Sequence, residues 1–172
     1  MSRWNIAALI PFSVMAAASF FGPTAHAQDP CKPVRDAAIL EARTPSHVYS
    51  TMNQGSRNMA TEIITTSSAM YSKTNLEGDG QWRKTIHSQQ DEAKEVAEHT
   101  KSYTGCQLVG NEEVNGEAAT VYSESNTESL MSGKVWVSKK RGLPLRAEVT
   151  SEGRHISVRY EYDNIQPPAG LQ

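Results

Sequence analysis

Four histidines lie beyond residue 27, namely His47, His87, His99 and His155, and none stands on a predicted helix in a His-x-x-x-His or Glu-x-x-His arrangement that would bring ligands to one metal from one face. Glu95 and His99 are four apart on a predicted helix and read as its solvated side. His47 and His155 read as single surface positions on strands. The carboxylates Glu112, Glu113, Glu117 and Glu124 follow one another along a predicted hairpin, where alternation deals them to both faces. Acid and base work by a carboxyl pair needs two groups converging across a cleft, which spacing along the chain does not establish. No Gly-x-Ser-x-Gly elbow and no phosphate-cradling glycine loop occurs. The expectation is no enzyme, no metal site and no cofactor.

The two cysteines, Cys31 and Cys106, lack both the Cys-x-x-Cys spacing of a redox pair and neighbouring metal ligands. Their compartment decides their chemistry. Arg3 gives a short positive region, Ile6 to Phe21 is apolar, and Ala25-His26-Ala27 fits a small-x-small cleavage site, the pattern of a secretory signal peptide. Pro11 interrupts the apolar run, which falls short of the ~20 residues a membrane span requires. Cleavage near Ala27 would leave Gln28 first, with no lipid-modifiable cysteine there. The expectation is a soluble periplasmic protein, not membrane-spanning, organised as a signal peptide over 1–27 and one domain over 28–172. In an oxidising compartment an even pair of cysteines forms a structural disulfide, so Cys31 is expected to bond Cys106. Without Arg3 the chain carries 16 basic and 19 acidic residues, a net charge of −3 that argues against nucleic acid as a partner.

Asp29 before Pro30 predicts a helix start, with Val34, Ala37, Ala38 and Leu40 as its apolar side and Pro45 ending it. Four strands follow, over 47–52, 61–66, 69–75 and 81–87. Ser88 with Asp91 resembles a capping box and opens a second helix to about Lys101. A hairpin from Cys106 to Ser125 turns at Asn115-Gly116, the strongest type I′ signal in the chain. The stretch from Ser123 to Ser132 reads as loose. The order of one helix, four strands, one helix and five strands makes an α+β domain, predicted as a strongly curved antiparallel sheet with the helices on its concave face.

The last three strands are the most informative. A two-residue turn at Glu152-Gly153 sets Val149 opposite Ile156, Ala147 opposite Val158 and Leu145 opposite Tyr160, all on one face. A second tight turn at Lys140-Arg141 would place Trp136 opposite Leu145 and extend this apolar row. The other face carries Arg146, Glu148, Thr150, His155, Ser157, Arg159 and Glu161, so the sheet reads as apolar on one side and wet on the other. Met52, Met59, Met70 and Met131 add flexible thioethers of a kind that suits adaptable apolar pockets as well as ordinary cores. The loose segment, with Met131, could rim such a pocket.

Val135-Trp136-Val137-Ser138, then Gly142-Leu143-Pro144-Leu145-Arg146, and finally Tyr160-Glu161-Tyr162-Asp163-Asn164-Ile165 resembles the strand, turn and strand signature of the LolA/LolB lipoprotein-carrier superfamily. That group is also similar to the N-terminal domain of RseB/MucB-type regulators of envelope stress. The resemblance implies an incomplete β-barrel closed by helices, with an apolar cavity for acyl chains. The candidate lining is Trp136, Leu145, Val149, Ile156, Val158, Tyr160 and Met131. The implied function is a soluble periplasmic carrier or binder of a lipid, an acylated peptide or a lipoprotein. The alternative is an interaction module with a filled core that docks another envelope protein.

Overall fold

The computed structural model describes residues 29–75, 80–126 and 131–171. The signal-peptide reading of 1–27 lies outside them. Helix α1 spans Lys32–Glu41, and four strands follow: β1 (Ser46–Gln54), β2 (Arg57–Thr65), β3 (Ala69–Thr74) and β4 (Arg83–Ile86). Helix α2 (Gln89–His99) continues as a single 3₁₀ turn, Thr100–Ser102. Five more strands complete the chain: β5 (Tyr103–Val114), β6 (Glu117–Asn126), β7 (Met131–Ser138), β8 (Pro144–Ser151) and β9 (Arg154–Glu161). All nine form one antiparallel sheet in the order β4-β3-β2-β1-β9-β8-β7-β6-β5. The sheet does not close on itself, and β4 and β5 are its edges.

Local turn chemistry accounts for much of this order. Asn115 and Gly116 have φ of 52° and 84°, and Glu152 and Gly153 have 49° and 74°. Positive φ at both central positions is the type I′ condition, whose twist matches the flanking strands. It fixes Val114 opposite Glu117, and Ser151 opposite Arg154 with Val149 opposite Ile156 and Ala147 opposite Val158, as the spacing predicts. The Ser88 side chain accepts the Asp91 backbone N–H at 3.3 Å and so caps α2.

Four expectations need correction. Helix α1 begins at Lys32 because Asp29 serves the turn before it: its Oδ1 accepts the Cys31 N–H at 3.0 Å and its carbonyl accepts the Lys32 N–H at 3.1 Å. Ala42, rather than Leu40, completes the buried side, since Leu40 is 41% exposed. The stretch expected to be loose is strand at both ends, with 123–126 in β6 and 131–132 in β7; its middle lies outside the described residues. The connection from β7 to β8 has five residues, 139–143, instead of two. Val137 then pairs with Pro144 and Trp136 with Arg146, so a β-bulge at Leu145 breaks the expected Trp136 to Leu145 register.

Trp136 consequently leaves the apolar row. It lies on the opposite face, buried with Ala119, Val121 and Leu145, while its Nε1–H donates to Glu112 Oε2 at 2.7 Å. The Arg146 guanidinium sits 4.7 Å above its ring. The face expected to be wet therefore carries a core of its own. Another cluster, Ile64, Ala69 and Tyr71, packs with Trp82, Ile165 and Leu171 from the segments outside the strands.

Gly133, in mid-sheet on β7, admits no side chain: a Cβ there would stand 2.3 Å from the Glu148 carbonyl oxygen. Because the clash is with backbone, Gly133→Ala is expected to destabilise by about 2 to 3 kcal/mol, the upper range for overpacking. A urea midpoint equal to that of the parent protein would show that the two strands can separate at no cost.

Candidate functional site

Helix α1 packs on β7. Val34 and Ala37 meet Val135 and Val137 in a cluster completed by Cys31 and Cys106, with Tyr103 and Tyr122 at its margin. The disulfide between Cys31 and Cys106 forms as expected, with Cα atoms 5.0 Å apart, but it ties the start of α1 to β5 at the edge of the sheet and not to its middle. Helix α2 packs against α1.

The register carries the α1 face of β7 outward across the sheet, because partners in an antiparallel ladder share a face. One rung runs Tyr122, Val135, Ala147, Val158, Ser50 and Thr61. The next runs Glu124, Gly133, Val149, Ile156, Met52 and Met59. Tyr160, Val48 and Ile63 form a third on the other side. Burial falls off with distance from α1. Val135 and Ala147 are buried, whereas Val149, Ile156, Val158, Met52, Met59, Val48 and Ile63 are only half-buried. The helix packs on β7 and β8 at one end of an apolar face, and the side chains farther along it, on β9, β1 and β2, are less buried.

Five of the seven residues singled out from the sequence fall on or beside this face. Val149, Ile156 and Val158 sit within it, Tyr160 lies on the adjoining rung, and Met131 lies at its rim. There Met131 lines a cavity of about 10 Å³ with Tyr103, Glu124, Gly133 and Val149, which is room for at most one water. Leu145 and Tyr160 also meet, in a separate cleft of about 260 Å³ with Val114, Glu117, Arg141 and Tyr162. Arg141 and Glu117 in its lining form an ion pair at 2.6 Å. Trp136 is absent from the face for the reason given above.

Sequence reasoning did not assign Val48 and Ile63 to the site, and it named Met52 and Met59 only as flexible thioethers. Their strands show the alternation Val48, Ser50, Met52 and Met59, Thr61, Ile63, but only the pairing of β1 with β9 brings them beside Val158. Of two acidic residues beside the face, Glu41 was missed and Glu124 was named only as one of the hairpin carboxylates. Glu41, the last residue of α1, accepts a hydrogen bond from Ser46 Oγ at 3.1 Å, and burial pushes its carboxyl up to about 7. Burial also raises Glu124. Desolvation pushes the Tyr160 phenol far up, and the nearby Glu41 and Glu124 add to it; Tyr103 is pushed up to about 12 by burial and Glu124. His47, expected at the surface, is half-buried, 2.7 Å from Glu62 and stacked on Tyr49.

Among the described residues no group of His, Cys, Asp and Glu could hold a metal ion, and no helix is long and apolar enough to cross a membrane.

No protein-family model matches this sequence, and no curated protein matches it. Solved structures do match in fold. MucB aligns over 84% of this chain and 62% of its own, at 14% identity and a TM-score of 0.56. The MucA/MucB complex of Pseudomonas aeruginosa aligns over 81% of this chain and 60% of the matched chain, at 14% identity and a TM-score of 0.53. The lipoprotein LppX of Mycobacterium tuberculosis aligns over 80% and 98%, at 13% identity and a TM-score of 0.49. The chain thus spans about three fifths of the MucB chains it matches. With its nine-stranded antiparallel sheet, which does not close on itself, and two helices, the chain shares the fold of MucB.

Proposed function

We propose that this protein is a periplasmic carrier or binding protein that holds an acyl chain, free or attached to a peptide or lipoprotein, on the less buried part of the α1 face. The observation that supports this reading is the half-buried rung Val149, Ile156, Met52 and Met59, an apolar row less buried than Val135 and Ala147 beside α1. Large apolar side chains gain roughly 1.5 to 3 kcal/mol each on full burial, so an apolar ligand laid across them gains what a packed helix would. The sheet would curve round the ligand as an incomplete barrel, with both helices on its concave side. Removal of residues 1–27 on export would place the domain in the envelope, where the disulfide persists.

Native mass spectrometry of protein purified from the envelope, combined with organic extraction, tests this directly. A near-stoichiometric apolar molecule, released on denaturation, is the expected result. Ile156→Ser should then weaken binding about tenfold, the loss of one aliphatic contact. Clean protein that takes up none of added dodecanol, dodecylammonium and dodecanoate would overturn the reading.

A second reading has its own observation. Leu108 and Val109 are 67% and 50% exposed on β5, an unpaired edge of the sheet. Exposed edges accept strands from other chains, and MucB is known in complex with MucA. On this reading the protein docks an envelope partner, and co-purification of a protein rather than a lipid would favour it.

A further inference from the structure

We infer that the apolar face takes an amphiphile whose head is a primary ammonium group, held by Glu124, with its chain running along Val149, Ile156, Met52 and Met59. This rests on the ligand-binding reading above and names the ligand class.

Three observations converge. Glu124 heads the rung that continues through Gly133, Val149, Ile156, Met52 and Met59, so one carboxylate terminates an otherwise apolar track. From β6 to β2 that track crosses five strand spacings of about 4.8 Å, roughly 24 Å in all, the scale of a long alkyl chain. Second, Glu124 Oε2 is buried with no hydrogen-bond partner. A carboxylate oxygen withdrawn from water and left unpaired carries a desolvation penalty that a bound cation relieves. Among the described residues no Lys, Arg or His forms an ion pair with it, in contrast to Glu117, which Arg141 holds at 2.6 Å. The compensating charge is therefore absent from the neighbouring side chains and is supplied by a ligand.

Third, the rim beside Glu124 can open. Met131 fills it, and the cavity there is only about 10 Å³. The thioether has three rotatable bonds and no fixed partner chemistry, so its rotation admits a small head. Tyr103 completes the rim with a phenol that stays protonated, since burial pushes it up to about 12. Its hydroxyl supplies an acceptor beside the carboxylate.

The test is calorimetric titration at pH 7.5 and below the micelle concentration with three probes of equal chain length: dodecylammonium, dodecanol and dodecanoate. Dodecylammonium is expected to bind at least tenfold more tightly than dodecanoate. Glu124→Gln should abolish that preference while dodecanol binding persists; it removes an unpaired buried charge and so should not unfold the domain. Glu113→Gln, an exposed residue on β5, controls for the general negative charge of the protein and should leave the preference intact. Equal binding of all three probes, or equal loss in Glu113→Gln and Glu124→Gln, would overturn the head-group assignment and leave the apolar face standing. If none of the probes binds, the ligand-binding reading falls with it.

Discussion

Replacing Cys31 and Cys106 together by alanine is expected to lower stability by about 4 kcal/mol, the chain-entropy value for a cross-link over some 75 residues. The link spans a sequence separation of 75, from the residue just before α1 to β5. Without it the unfolded chain regains that loop freedom, and in the native state α1 is held by packing, through Val34 and Ala37 on β7 and through its contacts with β8 and α2. With a urea slope of about 2 kcal/mol/M, the midpoint should fall by about 2 M. Reduced wild type should behave as the double variant does. The consequence for function lies in where α1 sits: it defines the closed end of the apolar face, and both cysteines are buried in the cluster that fixes it. If the double variant unfolds within about 0.3 M of the oxidised protein, α1 is held by packing alone, and the disulfide cannot be what shapes the site.

Much of this architecture is legible locally. Asn115-Gly116 and Glu152-Gly153 state their turn type outright, and the second gives the β8 to β9 register residue by residue. Ser88 and Asp91 mark the start of α2. What stays hidden is set by contacts distant in sequence. The bulge at Leu145 depends on a five-residue connection whose length two basic residues do not announce. The pairing of Val48, Ser50 and Met52 with Tyr160, Val158 and Ile156 joins the first strand to the last, and only that pairing doubles the width of the apolar face. The place of Glu124 at the end of a rung needs the registers of six strands at once. Trp136 shows the converse: a residue with the right chemistry for a lining, turned to the other face because its partner strand carries one extra residue.

Glu41 makes the protein less stable as pH rises through the range where most domains are most secure. Its carboxyl is raised from the ordinary 4.5 to about 7 by burial, with Glu92 adding to the effect and the Ser46 hydrogen bond opposing it. The folded state therefore binds a proton that the unfolded chain releases between pH 4.5 and 7, and stability falls across that window. Below pH 4.5 both states hold the proton and nothing is lost. Above pH 7 the full cost is present, about 3 kcal/mol for a rise of this size. Glu41→Gln keeps an acceptor for Ser46 Oγ and cannot ionise, so at pH 8 it should be more stable than wild type by about 3 kcal/mol, or about 8 °C in Tm. At pH 4 the two proteins should melt together. Glu124 is raised as well and contributes in the same direction, so the variant should retain a shallower decline of its own. The comparison needs only thermal melts at four or five pH values. Parallel profiles for the two proteins would mean that Glu41 reaches water in solution and that the end of α1 is looser than its burial implies. A gap that opens between pH 4.5 and 7 would establish a carboxyl held against its preference beneath the helix, beside Tyr160 and at the edge of the apolar face.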